Sequence, residues 1–167
     1  MPQPNNTNNN IANTLLWGTA NPEGIENYNG IYLSRDDVSD MVTQIDSAST
    51  RGAPLPVHVE HKGVPIGHVV SAWENSGRLE CVLALDSKVL EGSISAEMVR
   101  SGLCKDLSLG YTVALENSAK GIVARKKNLK EISVVVKGMR RKCHIHGISS
   151  SSSSSKSSSS SNSSHKR

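Results

Sequence analysis

The 167-residue chain carries 19 Lys and Arg against 15 Asp and Glu, a formal charge of +4, with 36% hydrophobic residues and no Phe at all. That length suits one domain with a buried core built from Val, Leu and Ile, residues that favour strands. It excludes a disulfide scaffold (three widely spaced cysteines), and no apolar run reaches the length of a membrane span.

The two ends differ in composition from the rest. Met1 to Asn13 is rich in Asn and Pro, and Ser149 to Arg167 is nearly pure serine closing in His165, Lys166 and Arg167. Neither holds enough apolar surface to offset ordering entropy, so 1–13 and 149–167 are predicted to be disordered around a domain at 14–148. An odd cysteine count and the lack of a signal-peptide pattern predict a soluble, intracellular protein. Positive charge gathers at Arg125 to Lys127 and at Lys137 to Lys142. Without interleaved aromatics these clusters read as solvated loops, and no nucleic-acid partner is expected.

Thr14 to Ala20 is predicted as the first strand, and Asn21-Pro22-Glu23-Gly24 as a loop. Ser34 then caps a helix with Asp36 and Asp37 in its first turn and Val38, Met41, Val42 and Ile45 along one stripe; Ser47 to Pro54 follows as a loop. Leu55 to His61 is the second strand, with Leu55, Val57 and Val59 toward the core. His68 to Trp73 and Arg78 to Leu85 form a hairpin about Glu74-Asn75-Ser76-Gly77. In Ser87 to Gly102 short helical turns are expected, with Ser95 as a cap and Gly102 as the terminator. Cys104 to Ala114 alternates Leu107, Leu109, Tyr111 and Val113 with Asp106, Ser108, Gly110 and Thr112, a strand whose polar face carries Ser108. Ile122 to Arg125, Lys130 to Lys137 and Cys143 to His146 complete about seven strands. The absence of a strand–helix–strand rhythm predicts a small, mainly antiparallel β-barrel with one or two short helices packed outside.

A serine on a rigid strand is a candidate nucleophile if a base and an orienting group stand beside it. His58, His61 and His68 are the candidate bases; Asp106, Glu60 and Glu131 are the candidate third groups. Strand parity lets Glu131 share a face with Ser108, and sets His61 with Val59 unless the strand bends there. His58 and His61 point to opposite faces of a strand, so they do not make a metal pair, whereas His144 and His146 share one. Neither a metal nor a cofactor is expected.

The segment L-P-V-H-V-E-H-K-G-V-P-I-G-H-V resembles the histidine segment of the herpesvirus maturational proteases, the assemblins. D-L-S-L-G-Y is similar to their nucleophile strand and to the serine strand of tailed-phage prohead proteases. I-Y-L-S-R-D-D-V-S-D-M-V resembles the assemblin segment that opens the first helix. L-K-E-I-S-V-V-V-K-G-M-R-R resembles the one carrying the third triad member and paired arginines. The segments stand in family order from about Leu15 to Arg141. The resemblance implies a capsid-maturation serine endopeptidase with an assemblin-like barrel, His61 as base, Ser108 as nucleophile, and Arg140 with Arg141 as the oxyanion group. Glu131 takes the third position, where assemblins have a histidine and prohead proteases an acid. Its implied partners are scaffold protein (as substrate), capsid proteins and a second copy of the chain, in the host nucleus and the assembling capsid. Only 47 positions separate base from nucleophile, so a helical insertion of assemblins is missing. Nothing helical follows Cys143 to His146, whereas assemblins dimerise through a helix there. The alternative is an inactive barrel that binds capsid or scaffold protein.

Overall fold

The computed structural model describes residues 13–119 and 121–149. The expectations for the two ends therefore lie outside the described residues, apart from Asn13 and Ser149. Its elements in chain order are β1 (Thr14–Asn21), α1 (Arg35–Thr50), β2 (Pro56–Val59), β3 (Lys62–Asn75), β4 (Arg78–Leu85), α2 (Leu90–Arg100), β5 (Asp106–Ser118), β6 (Gly121–Val135) and β7 (Ile145–Ile148). The fold is mostly β with flanking helices, as composition and periodicity predict.

Two features of the predicted barrel are corrected. The strands form one sheet in the order β5-β6-β2-β3-β4-β1-β7, and it does not close into a barrel. Its outer strands touch through a single bridge, Asp106 opposite His144, where Leu107 N–H donates to Cys143 O at 2.7 Å and Ile145 N–H to Lys105 O at 2.9 Å. The sheet is also mixed: β2 and β6 run parallel, with Val57, His58 and Val59 opposite Ile132, Ser133 and Val134. A parallel pair needs a long crossover, and here the whole of β3 to β5 supplies it, so no local rhythm announces it.

The helix α1 forms because Ser34 and Asp37 cap it reciprocally. Ser34 Oγ accepts the Asp37 N–H at 3.1 Å, and Asp37 Oδ2 accepts the Ser34 N–H at 2.9 Å. Its buried Val38, Met41, Ile45 and Ala48 pack on the sheet. The helix continues into the predicted loop because no breaker intervenes before Gly52, whose φ is +74°. In α2 the start is six residues earlier than the Ser95 cap predicts, with Val89 at the N-cap. Ser95 lies mid-helix and donates to Glu91 O at 2.6 Å, while Gly102 (φ +77°) ends the helix as expected.

The core between sheet and helices is aliphatic. Leu16, Met41, Ile45, Ile66, Leu83, Leu107 and Ile132 are fully buried, each worth about 1.5–3 kcal/mol of transfer free energy. Beyond the predicted end of the domain, Ser149 stays on β1, its N–H donating to Leu15 O at 2.7 Å and its Oγ accepting the Leu15 N–H at 3.0 Å. Among the described residues no helix is long and apolar enough to cross a membrane.

Candidate active site

The site sits where β6 lies between β5 and β2. Ser108 of β5 stands opposite Ser133 of β6, and Gly110 opposite Glu131. Across the other edge of β6, His58 of β2 stands opposite Ser133. The parallel pairing therefore brings the end of β2 against the strand that carries Glu131.

Strand β2 stops at Val59, which pairs with Lys62 of β3. The two residues between them, Glu60 and His61, form the hairpin turn with φ of +51° and +59°. Both central positions of such a turn require left-handed backbone, which costs a non-glycine residue about 1–2 kcal/mol. Hydrogen bonds from neighbouring β6 offset this cost. Glu60 N–H donates to Val134 O at 3.1 Å, Val136 N–H donates to Glu60 Oε1 at 2.7 Å, and His61 N–H donates to Ser133 Oγ at 3.0 Å. The turn explains why strand parity misplaces His61: the alternation ends two residues before it.

His61 Nε2 lies 2.8 Å from Ser108 Oγ, and His61 Nδ1 contacts Glu131 Oε1. The second carboxylate oxygen, Oε2, accepts from Ser133 Oγ at 2.7 Å. Side-chain exposure is 36% for His61 and 13% for Glu131, so the imidazole forms the open side of the cluster. Gly110 makes room for the carboxylate, since a Cβ there would fall 1.9 Å from Glu131 Oε1.

Ser108 is 2% exposed, against the expectation of a solvent-facing residue. Asp106 to Leu109 are buried on both faces of β5. One face is core, and on the other Ser108 lies at the His61 imidazole. Alternation identifies the apolar face but does not reveal that the polar face is covered as well.

The remaining candidates are engaged elsewhere. His58 does not bond Ser108 and its buried Nδ1 has no partner among the described residues; His68 lines a separate groove with Asp86 and Lys88. Asp106 accepts from Gly138 N–H at 3.0 Å and pairs with His144 at 2.8 Å, while Glu60 serves the turn. His146 lies 2.8 Å from Thr19 Oγ1, away from His144's partner. Among the described residues no group of three or more His, Cys, Asp or Glu is arranged to hold a metal ion.

A groove of about 360 Å³ opens beside His61 and Glu131, walled by Ile31, Gly110, Tyr111, Met139 and Arg140. Arg140, only 4% exposed, donates from Nη2 to Ile31 O at 3.2 Å and to the Tyr111 hydroxyl at 3.0 Å, and its buried Nε has no partner among the described residues. Arg141 is exposed. Ser133, fully buried, is the functional candidate that sequence reasoning missed. Its position two residues after Glu131, on the same strand face, is the signal that marks it.

No protein-family model matches the chain, and no curated protein sequence does. Among solved structures it matches the crystal structure of KSHV protease in complex with a hexapeptide phosphonate inhibitor, with a TM-score of 0.57 and 14% sequence identity. The match covers 83% of this chain and 66% of the other, so the chain spans just under two thirds of that protease. At that identity the likeness is one of architecture: the chain has a protease-like fold, shared with a herpesvirus protease.

Proposed function

We propose that the chain is a serine endopeptidase that matures a viral capsid by cleaving its internal scaffold protein. One observation carries the reading. Ser108 Oγ, the His61 ring and the Glu131 carboxylate stand in hydrogen-bonding order, with the first gap 2.8 Å, on a fold shared with a viral protease.

In this reading His61 Nε2 takes the proton of Ser108 as Oγ attacks the scissile carbonyl carbon. Glu131 holds the ring through Nδ1 and stabilises the imidazolium that forms. His61 then returns the proton to the leaving amine, and water resolves the acyl-enzyme by the same steps in reverse. The Arg140 guanidinium, from the groove wall, supplies charge for the oxyanion; exposed Arg141 adds to it. Capsid proteins and a second copy of the chain are its partners, its own tail a further substrate, and the host nucleus and assembling capsid its place of action. An inactive binding module would have no use for this hydroxyl–imidazole–carboxylate order.

A fluorophosphonate probe, located by mass spectrometry, tests the reading. Label is expected on Ser108 of the wild type and absent from Ser108→Ala and His61→Ala. A folded wild-type protein that takes no label at Ser108 overturns it.

A further inference from the structure

We propose that Ser133 is a positioning residue of this site, a fourth group that fixes the protonation pattern of the other three; the inference rests on the hydrolase reading above. Ser133 is fully buried, and its hydroxyl makes two hydrogen bonds, at 2.7 Å to Glu131 Oε2 and 3.0 Å to the His61 backbone nitrogen. The directions of these bonds are set by chemistry. A backbone N–H only donates, so Ser133 Oγ accepts from His61. A hydroxyl has one proton, and it goes to Glu131 Oε2.

With Oε2 occupied, Glu131 Oε1 is the oxygen that faces the imidazole, and it accepts from Nδ1–H. A neutral imidazole protonated at Nδ1 has its lone pair at Nε2, facing Ser108 Oγ across 2.8 Å. That tautomer is the one able to take the serine proton. The same hydroxyl also ties the left-handed turn that carries the base to the strand that carries the acid. One side chain thus sets both the tautomer of His61 and its place.

The test uses the full chain as wild type, Ser133→Ala, Ser133→Cys, Glu131→Gln and the Ser133→Ala/Glu131→Gln double variant. Hydrolysis of a scaffold-derived peptide and ring nitrogen NMR of His61 are the two readouts. Ser133→Ala should lower kcat about 10- to 100-fold, the loss expected for a hydrogen bond to a charged group. KM should stay within about twofold, because the residue does not line the groove. In the Glu131→Gln background the same substitution should cost clearly less than in the wild type, since the part of its effect that runs through the carboxylate is already lost. Ser133→Cys, a weaker donor, should fall between wild type and Ser133→Ala, and it replaces the alanine variant if that one does not fold. The wild-type ring should be a single Nδ1–H tautomer and the Ser133→Ala ring a mixture.

Unchanged kcat and tautomer in the alanine variant, or a loss that adds in full to that of Glu131→Gln, overturns the proposal. A wild type that neither hydrolyses peptide nor takes the fluorophosphonate sinks the hydrolase reading instead. The tautomer of the two proteins then decides Ser133 without any activity.

Discussion

Gly110→Ala tests the geometry of the site without replacing any residue proposed to act in it. The backbone at Gly110 is not left-handed, so alanine is sterically allowed on the strand. Its Cβ, however, would lie 1.9 Å from Glu131 Oε1, 2.6 Å from Cδ and 2.9 Å from Cγ. An ordinary contact begins near 3.4 Å, so the carboxylate must retreat by about 1.5 Å. A displacement of that size breaks both its bond to His61 Nδ1 and its bond from Ser133. A misplacement of about 1 Å can cost on the order of 10²-fold in rate, and loss of a triad acid about 10⁴-fold in a deeply buried case. For a Glu131 that is 13% exposed, kcat/KM should fall about 10²–10³-fold. Stability should change much less. Losing the hydrogen bonds costs about 1.5–3 kcal/mol and the stiffer unfolded chain returns about 0.4–1 kcal/mol, a fall in Tm of several degrees. The assay is peptide hydrolysis beside a thermal melt, repeated in a Glu131→Gln background, where Gly110→Ala should have little further effect. Activity within about threefold of wild type would refute the argument that Glu131 must occupy this space.

His61→Ala should cost at least about 10³-fold in kcat/KM and His58→Ala less than about tenfold, since only His61 reaches Ser108; the reverse ranking in the same assay would assign the base to the wrong histidine. Burial alone would raise the Asp37 pKa, but the Lys127 ammonium at 2.9 Å and the Ser34 donors more than offset it and hold the carboxyl below its ordinary value of 3.8. A lowered folded pKa means stability present above the ordinary carboxylate range and lost as pH falls through the folded value. Asp37→Asn should therefore melt several degrees lower at pH 7, with the gap closing as pH falls through and below the ordinary carboxylate range; a gap independent of pH would show the charge to be irrelevant. Burial pushes all three thiols up, Cys143 to about 12 against the opposing pull of Arg140, so none should react with a thiol reagent at pH 8 until the chain is unfolded. Rapid native labelling of any one would contradict the burial.

Local chemistry was legible wherever it decides the structure by itself. Ser34 with Asp37 announces α1, Ser76-Gly77 announces the β3–β4 hairpin, and Gly102 ends α2. What escaped the periodicity has two physical origins. Long-range pairing leaves no local trace: nothing near Val57 or Ile132 says that they lie side by side. Parity also fails wherever the backbone departs from a strand, at the Glu60–His61 turn and at the register shifts beside Gly110 and Ala114 in β5. Only the resemblance to a family singles out His61 and Glu131; the residue pattern alone leaves His58, His68, Asp106 and Glu60 open beside them. The burial of Ser108, Ser133 and Arg140 depends on what the fold lays over them, and hydropathy reads all three as surface.

The parallel pairing of β2 with β6 also orders events in time. The hydroxyl and the imidazole are 47 residues apart in the chain, but the imidazole waits for groups 70 and 72 residues further on, the Glu131 carboxylate and the Ser133 hydroxyl. A ribosome adding about 5–20 residues per second exposes Ser108 and His61 seconds before β6 can emerge. Until it does, β2 lacks the neighbour that bonds its left-handed turn. A growing chain thus contains the proposed nucleophile and base, Ser108 and His61, yet lacks the strand that holds them together. In the proposed hydrolase reading, chemistry is thereby deferred until the sheet is nearly complete, so topology itself delays reactivity.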